Sequence, residues 1–382
     1  MKYTSPASFA DTKPHYKTLD GLRGIAALAV VWYHLFEGFA TSPIDQRFNH
    51  GYLAVDFFFI LSGFVIGYAY DDRWKKMTTG HFFQRRLIRL HPMVIFGAIF
   101  GVFTFCLQGC VQWDGTYVTP LSIVAAFLLN LLLIPVIPGC SMEVRGNGEM
   151  YPLNGPSWSL FFEYIGNILY ALFLHRSSTR TLSLLTAISG IALAGYAIGN
   201  LSGFGHIGVG WTLADLNFPG GFLRMFFSYS MGLLLSRIHR PISFKGAFPT
   251  CSILLIALLS VPHLGGQDNL WINGLYDSFC VLIAFPILVY TGASDRPSTP
   301  YLSQINNFLG NLSYPLYMIH YPLMYLFYAW LWKNNPTFEQ TWPITIILFG
   351  ICVLLASIVL KCYDEPIRKW LTKKYQKQQR LQ

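Results

Sequence analysis

Charge is what this 382-residue chain has least of. Asp, Glu, Lys and Arg make up 12% of it, about half the ~25% of an average soluble domain. The deficit is uneven: charges sit in short clusters separated by apolar runs of about 18–25 residues, the length a helix needs to cross ~30 Å of hydrocarbon. That excludes a soluble enzyme, a disordered chain and, despite a net charge of +9, a nucleic-acid binder. No Cys/His spacing matches a structural zinc site. The seven cysteines form no even-numbered framework. Cys251, Cys280, Cys352 and Cys362 read as small buried hydrophobes, and Cys106, Cys110 and Cys140, near one membrane face, leave room for a single disulfide. No small-residue cleavage site follows the first apolar run, so it reads as an uncleaved span.

What remains is an all-α, polytopic helix bundle. Apolar runs fall near 21–40, 51–70, 92–108, 121–138, 158–174, 182–201, 221–236, 247–262, 271–290, 311–331 and 342–361. Lys2, Lys13 and Lys17 at one end, and Arg368, Lys369, Lys373, Lys374, Lys377 and Arg380 at the other, place both termini in the cytoplasm by the positive-inside rule. An even number of crossings follows. The 71–91 loop (Arg73, Lys75, Lys76, Arg85, Arg86, Arg89) and the loops around Arg176/Arg180 and Arg237/Arg240/Lys245 are also inside, so the odd run lies between 109 and 157. Pro135 and Pro138 interrupt the 121–138 run, which reads as re-entrant or interfacial. With about ten crossings, all but four of the 27 Lys and Arg residues lie inside; the four are Arg47, Arg145, Arg224 and Lys333. The division is a cytoplasmic segment 1–18, a transmembrane domain 19–363 and a basic tail 364–382. Gly63/Gly67 and Gly97/Gly101, each four apart, read as close-packing faces between helices.

Ionisable groups inside spans are costly and mark function. Arg23 and His34 are eleven residues apart, which puts them within about 20° of one helix face and ~16 Å apart along the axis. Asp56 enters with the second span, Glu163 with the fifth run at a similar depth, and His320 rises to the midplane, so His34, Asp56, Glu163 and His320 share one layer between the middle and the outer half. On the inner side, Arg86 and Arg89 are three apart and face the same way on a helix. Arginine forks suit phosphates, although anionic lipid headgroups would serve the same cluster.

The stretch from Leu19-Asp20-Gly21-Leu22-Arg23-Gly24 to His34 resembles the opening of the acyltransferase-3 membrane family. Val55-Asp56-Phe57-Phe58-Phe59, Arg86-x-x-Arg89, Trp158-Ser159-Leu160 with Glu163, and Ser313-Tyr314-Pro315-Leu316-Tyr317 with His320 follow in that family's order over nearly the full chain. The resemblance implies an integral enzyme of the bacterial inner membrane that moves an acyl group, commonly acetyl, from cytoplasmic acyl-CoA to a hydroxyl. The acceptor would be an extracytoplasmic sugar, polysaccharide or glycolipid. No permanently bound cofactor and no metal are expected, and acyl-CoA and membrane lipid are the expected partners. His34 matches the family's essential histidine, and Arg23, Arg86 and Arg89 the arginines tied to the donor. Tyr164 follows Glu163 where many members carry a second acid.

Joined to the physical reading, this gives His34 as general base, oriented by Asp56 or Glu163, between which spacing does not choose. His320, Ser159, Tyr317 or a backbone N–H would meet the oxyanion, and Trp158, Ser159, Tyr317 and His320 form the substrate-facing set. Direct transfer and a covalent acyl-histidine both fit. The rival classes are a transporter or flippase of an anionic lipid or glycan intermediate and a scaffold using only the basic inner face. Neither would lose acyl-CoA turnover on His34→Ala.

Overall fold

The computed structural model describes residues 13, 15–74, 77–240, 242, 244–294 and 299–379, without the side chains of the last two. Lys2, Lys75, Lys76 and Arg380, counted above among the inner cations, lie outside the described residues. Every named element is helical, and the β-structure among the described residues is two isolated bridges, Val111 with Tyr117 and Glu149 with Thr212.

Each apolar run became helical, the 271–290 run supplying both α9 and α10, and the basic tail added α13: α1 (Lys17–Glu37), α2 (Ala54–Tyr70), α3 (Thr79–Gln108), α4 (Pro120–Leu131), α5 (Ser157–Leu172), α6 (Thr179–Ile198), α7 (Asn217–Ile238), α8 (Ala247–Leu259), α9 (Leu270–Phe279), α10 (Phe285–Ser294), α11 (Pro300–Asn334), α12 (Phe338–Val359) and α13 (Glu365–Gln379). Short π-helical turns, Cys280–Ala284 and Leu360–Asp364, join α9 to α10 and α12 to α13. Among the described residues six helices are long and apolar enough to cross a membrane, which makes this a multi-pass membrane protein. Apolar side chains such as Ile191 and Leu354 stand exposed on them, as lipid-facing positions do. The basic stretch before the third run is not a loop: α3 starts at Thr79, capped by the Thr78 side chain, and runs straight through Pro92. In the fourth run only Pro120–Leu131 is helical. At about 18 Å it is too short to span by itself, and it packs on α3 over a small core of Phe105, Val118, Ile123, Ala126, Val144 and Leu153.

Two glycine-lined crossings set the centre. A Cβ at Gly24 would collide with the Leu309 backbone, and one at Gly310 with Asp20, so α1 and α11 touch along the length that carries Arg23 and His34. Gly63 lies against the Tyr229 carbonyl and Gly232 against that of Ile60, joining α2 to α7. Gly97 and Gly101 differ from the sequence expectation. They admit Asn154 and Leu153 of the segment before α5, not a neighbouring helix alone. That segment folds inward, with Arg145, Met150, Tyr151, Leu153 and Asn154 buried. All seven cysteines are free thiols, so the disulfide allowed for Cys106, Cys110 and Cys140 does not form.

Candidate active site

Two cavities lie at opposite ends of α1. The first, about 410 Å³, is lined by the start of α1, the end of α2 and the start of α3, and it gathers Lys13, Arg23, Arg73, Arg85, Arg86 and Arg89 against two acids, Asp20 and Glu163. Arg23 Nη2 pairs with Asp20 at 3.0 Å and also donates to the Gly310 carbonyl at 3.0 Å, while its Nε donates to Ser313 Oγ at 3.0 Å. Arg86 donates to Glu163 Oε1 at 2.6 Å, which also accepts from Ser62 Oγ at 2.8 Å. Arg89 has no hydrogen-bond acceptor and, like Arg73 and Arg85 on the same wall, no ion-pair partner among the described residues.

The second cavity, about 470 Å³, is lined by the end of α1, the start of α2 and the loops before α5 and α7. His34 lies here. Its Nδ1 is 2.7 Å from Glu37 Oε2, one helical turn on. Tyr328 donates to the His34 carbonyl at 2.5 Å and stands 3.0 Å from the same Glu37 oxygen. The Tyr321 ring meets the imidazole edge-on at 4.7 Å. An ionised carboxylate only accepts, so the proton sits on Nδ1 and the lone pair of Nε2 is free to act as a base. The rest of the wall is aromatic, with Trp113, Trp158, Trp211 and Trp332. Glu149, in the loop before α5, accepts from Tyr325 and from Asn147 Nδ2 at 2.9 Å, and burial pushes its carboxyl upward.

The four ionisable residues read as one layer are therefore divided. Glu163 belongs to the basic cavity, paired with Arg86, and does not approach His34. The inward fold of the segment before α5 starts that helix inside the bundle, so Glu163, about 9 Å further along, falls in the opposite half. Asp56 is fully buried and bound by Arg224 through contacts of 2.7, 3.1 and 3.2 Å. Arg224 also donates to the carbonyls of Val209 at 2.7 Å and Tyr52 at 2.9 Å. Asp56 is thus consumed in a structural ion pair, and the acid on His34 is Glu37. His320 does lie beside His34, with ring centroids 5.4 Å apart. Its Nδ1–H is spent on the Leu316 carbonyl at 3.1 Å, leaving Nε2 buried without a partner among the described residues, an acceptor rather than an oxyanion donor.

Tyr317 and Val55 line both cavities. Tyr317 is the one polar side chain among the described residues to do so. Its hydroxyl is 2.8 Å from Ser159 Oγ, which in turn donates to the Pro156 carbonyl at 3.0 Å. Trp158 lies on the far side of this partition, under the Arg224 guanidinium at 5.3 Å. Glu37 and Arg224 are the functional positions the sequence reading passed over. The i, i+3 spacing of Glu37 from His34, and a cation inside the seventh run able to neutralise Asp56, were the signals.

A family model described as an acyltransferase domain matches residues 16–362, and the chain belongs to that family. Protein 2 in the picA locus of Rhizobium radiobacter is 32% identical over 183 residues, 46% of this chain and 91% of that protein. O-acetyltransferase OatA of Staphylococcus aureus is 24% identical over 383 residues, covering 92% of this chain. A putative O-acetyltransferase of the same species is 25% identical over 379 residues. The chain spans 57% of the length of these two staphylococcal proteins. No solved structure matches it.

Proposed function

We propose that this acyltransferase-family protein moves an acyl group, acetyl in the first instance, from cytoplasmic acyl-CoA to a hydroxyl of an extracytoplasmic sugar, polysaccharide or glycolipid in the bacterial inner membrane. Ten helical crossings, with α4 interfacial and both termini inside, turn the basic cavity to the cytoplasm and the aromatic cavity outward. The observation that carries the reading is the pair of cavities meeting at Tyr317, one cationic, the other holding a histidine–carboxylate pair. The names of the staphylococcal relatives add weight to O-acetyl transfer.

The donor's phosphates bind at Arg89, with Arg23 and Arg86 held in place by Asp20 and Glu163, and its pantetheine arm runs along the α1 face toward His34. The acceptor hydroxyl gives its proton to His34 Nε2 as its oxygen attacks the thioester carbonyl. The Tyr317 hydroxyl, turning from Ser159, donates to the oxyanion. When the tetrahedral intermediate collapses, the C–S bond breaks and His34 returns the proton to the CoA sulfur. Glu37 stabilises the transient imidazolium.

The test is thiol release from acetyl-CoA by protein in nanodiscs, with His34→Ala and Arg89→Ala shown to be folded by size-exclusion chromatography. Loss of turnover in folded His34→Ala supports the reading; undiminished turnover refutes the base assignment.

A further inference from the structure

A second histidine faces the aromatic cavity. His206 lies in the loop between α6 and α7, half-buried, among the cavity's lining residues. Its Nδ1 accepts from the Gly208 backbone N–H at 2.8 Å. A nitrogen that accepts carries no proton, so the neutral ring bears its proton on Nε2. No described residue bonds to Nε2, which makes it a donor open to the cavity. The ring is fixed in place, stacked on Tyr52 at 4.7 Å and 29°.

The loop under it is pinned from four sides. Asp277 accepts from Ile207 N at 3.0 Å and from the Tyr52 hydroxyl at 2.8 Å. Arg224 holds the Val209 carbonyl. Asn217 Oδ1 accepts from Gly210 N at 2.6 Å, and Asn273 Nδ2 donates to the Gly205 carbonyl at 3.1 Å. A donor held this rigidly loses little freedom on meeting a ligand. Burial, with the neighbouring Arg224, His50 and His263, holds the ring's pKa down to about 3, so it stays uncharged.

We propose that His206 is an acceptor-binding residue, donating a hydrogen bond from its neutral Nε2–H to a hydroxyl or ether oxygen of the acceptor saccharide. The proposal rests on the reading of this cavity as the acceptor site. Tyr52, beneath the imidazole, holds the donor to one plane, so His206 selects among acceptors by where an oxygen stands relative to the hydroxyl at His34.

Two variants separate the donor from its support. His206→Phe keeps the stack on Tyr52 but loses the nitrogens. His206→Asn offers a side-chain oxygen to the N–H two residues on, as asparagine does in turns, but loses the ring. The experiment uses the full chain in nanodiscs with ¹⁵N-labelled histidine and a panel of methyl glycosides as acceptor probes. In the wild type, the resonance that vanishes in His206→Phe is expected to be a neutral Nε2–H tautomer at neutral pH, and to shift with at least one glycoside. Both variants should raise that glycoside's half-saturating concentration in acetyl-CoA thiol release by up to about tenfold, as for one lost neutral hydrogen bond. An imidazolium, an Nδ1–H tautomer, no shift with any glycoside, or unchanged half-saturation in both folded variants overturns the proposal. Wild type that releases no thiol under any condition instead overturns the acyl-transfer reading, and the spectrum still judges His206.

Discussion

His34 and Glu37 sit one turn apart on α1, with Nδ1 and Oε2 separated by 2.7 Å, and in the proposed mechanism this contact directs the imidazole as a base. Glu37→Gln removes the charge that fixes the tautomer while keeping the side chain's shape. We expect kcat to fall by about 10²-fold or more with little change in the KM for acetyl-CoA. Glu163→Gln should do the reverse, weakening the donor through Arg86. Steady-state kinetics on the two variants distinguish the assignments.

Asp56 and Arg224 form a fully buried pair, and removing one member leaves a charge without its partner. Asp56→Ala and Arg224→Ala should each destabilise the fold by about 3–5 kcal/mol. Thermal size-exclusion profiles, not turnover of the surviving folded fraction, should record most of the loss. Asp56→Ala that melts like wild type would show that the pair does not support the fold.

Tyr317 lines both cavities, with Val55 beside it in each. Tyr317→Ala should open a passage between them to water and uncouple the enzyme, so that thiol release persists while ester formation on an acceptor falls. Tyr317→Phe retains the bulk and should show no leak, but should lose rate with the hydroxyl. Equal leak in both variants would contradict the partition.

Arg89 has no acceptor among the described residues and lines the basic cavity. Arg89→Ala should raise the KM for acetyl-CoA by about tenfold, and the wild-type KM should itself rise with ionic strength as salt screens the phosphates. A salt-independent KM would count against phosphate binding at this wall.

Periodicity and hydropathy reveal most of this fold, because hydrocarbon imposes a length and an apolar composition on every crossing. All eleven runs returned as helices, and on α1 Arg23 lines one cavity and His34 the other. What the sequence hid was depth. The segment before α5 reads as an outer loop, yet Asn154 and Leu153 enter clefts opened by Gly97 and Gly101. That displacement moves Glu163 into the basic cavity. Arg224 was counted among outer-loop charges because one cation near the end of a run is indistinguishable from an interfacial one until Asp56 is found against it. Glu37 was passed over as the edge of a span, although a carboxylate three residues after a candidate base is a readable pattern.

The central claim is transfer between the two cavities through His34. The most direct measurement uses proteoliposomes of uniform orientation, with labelled acetyl-CoA on the side of the basic cavity and methyl glycosides only on the other. Labelled ester is expected on the glycosides, with none formed by folded His34→Ala. Ester that forms only when donor and glycoside share a side, or that persists without His34, would contradict it.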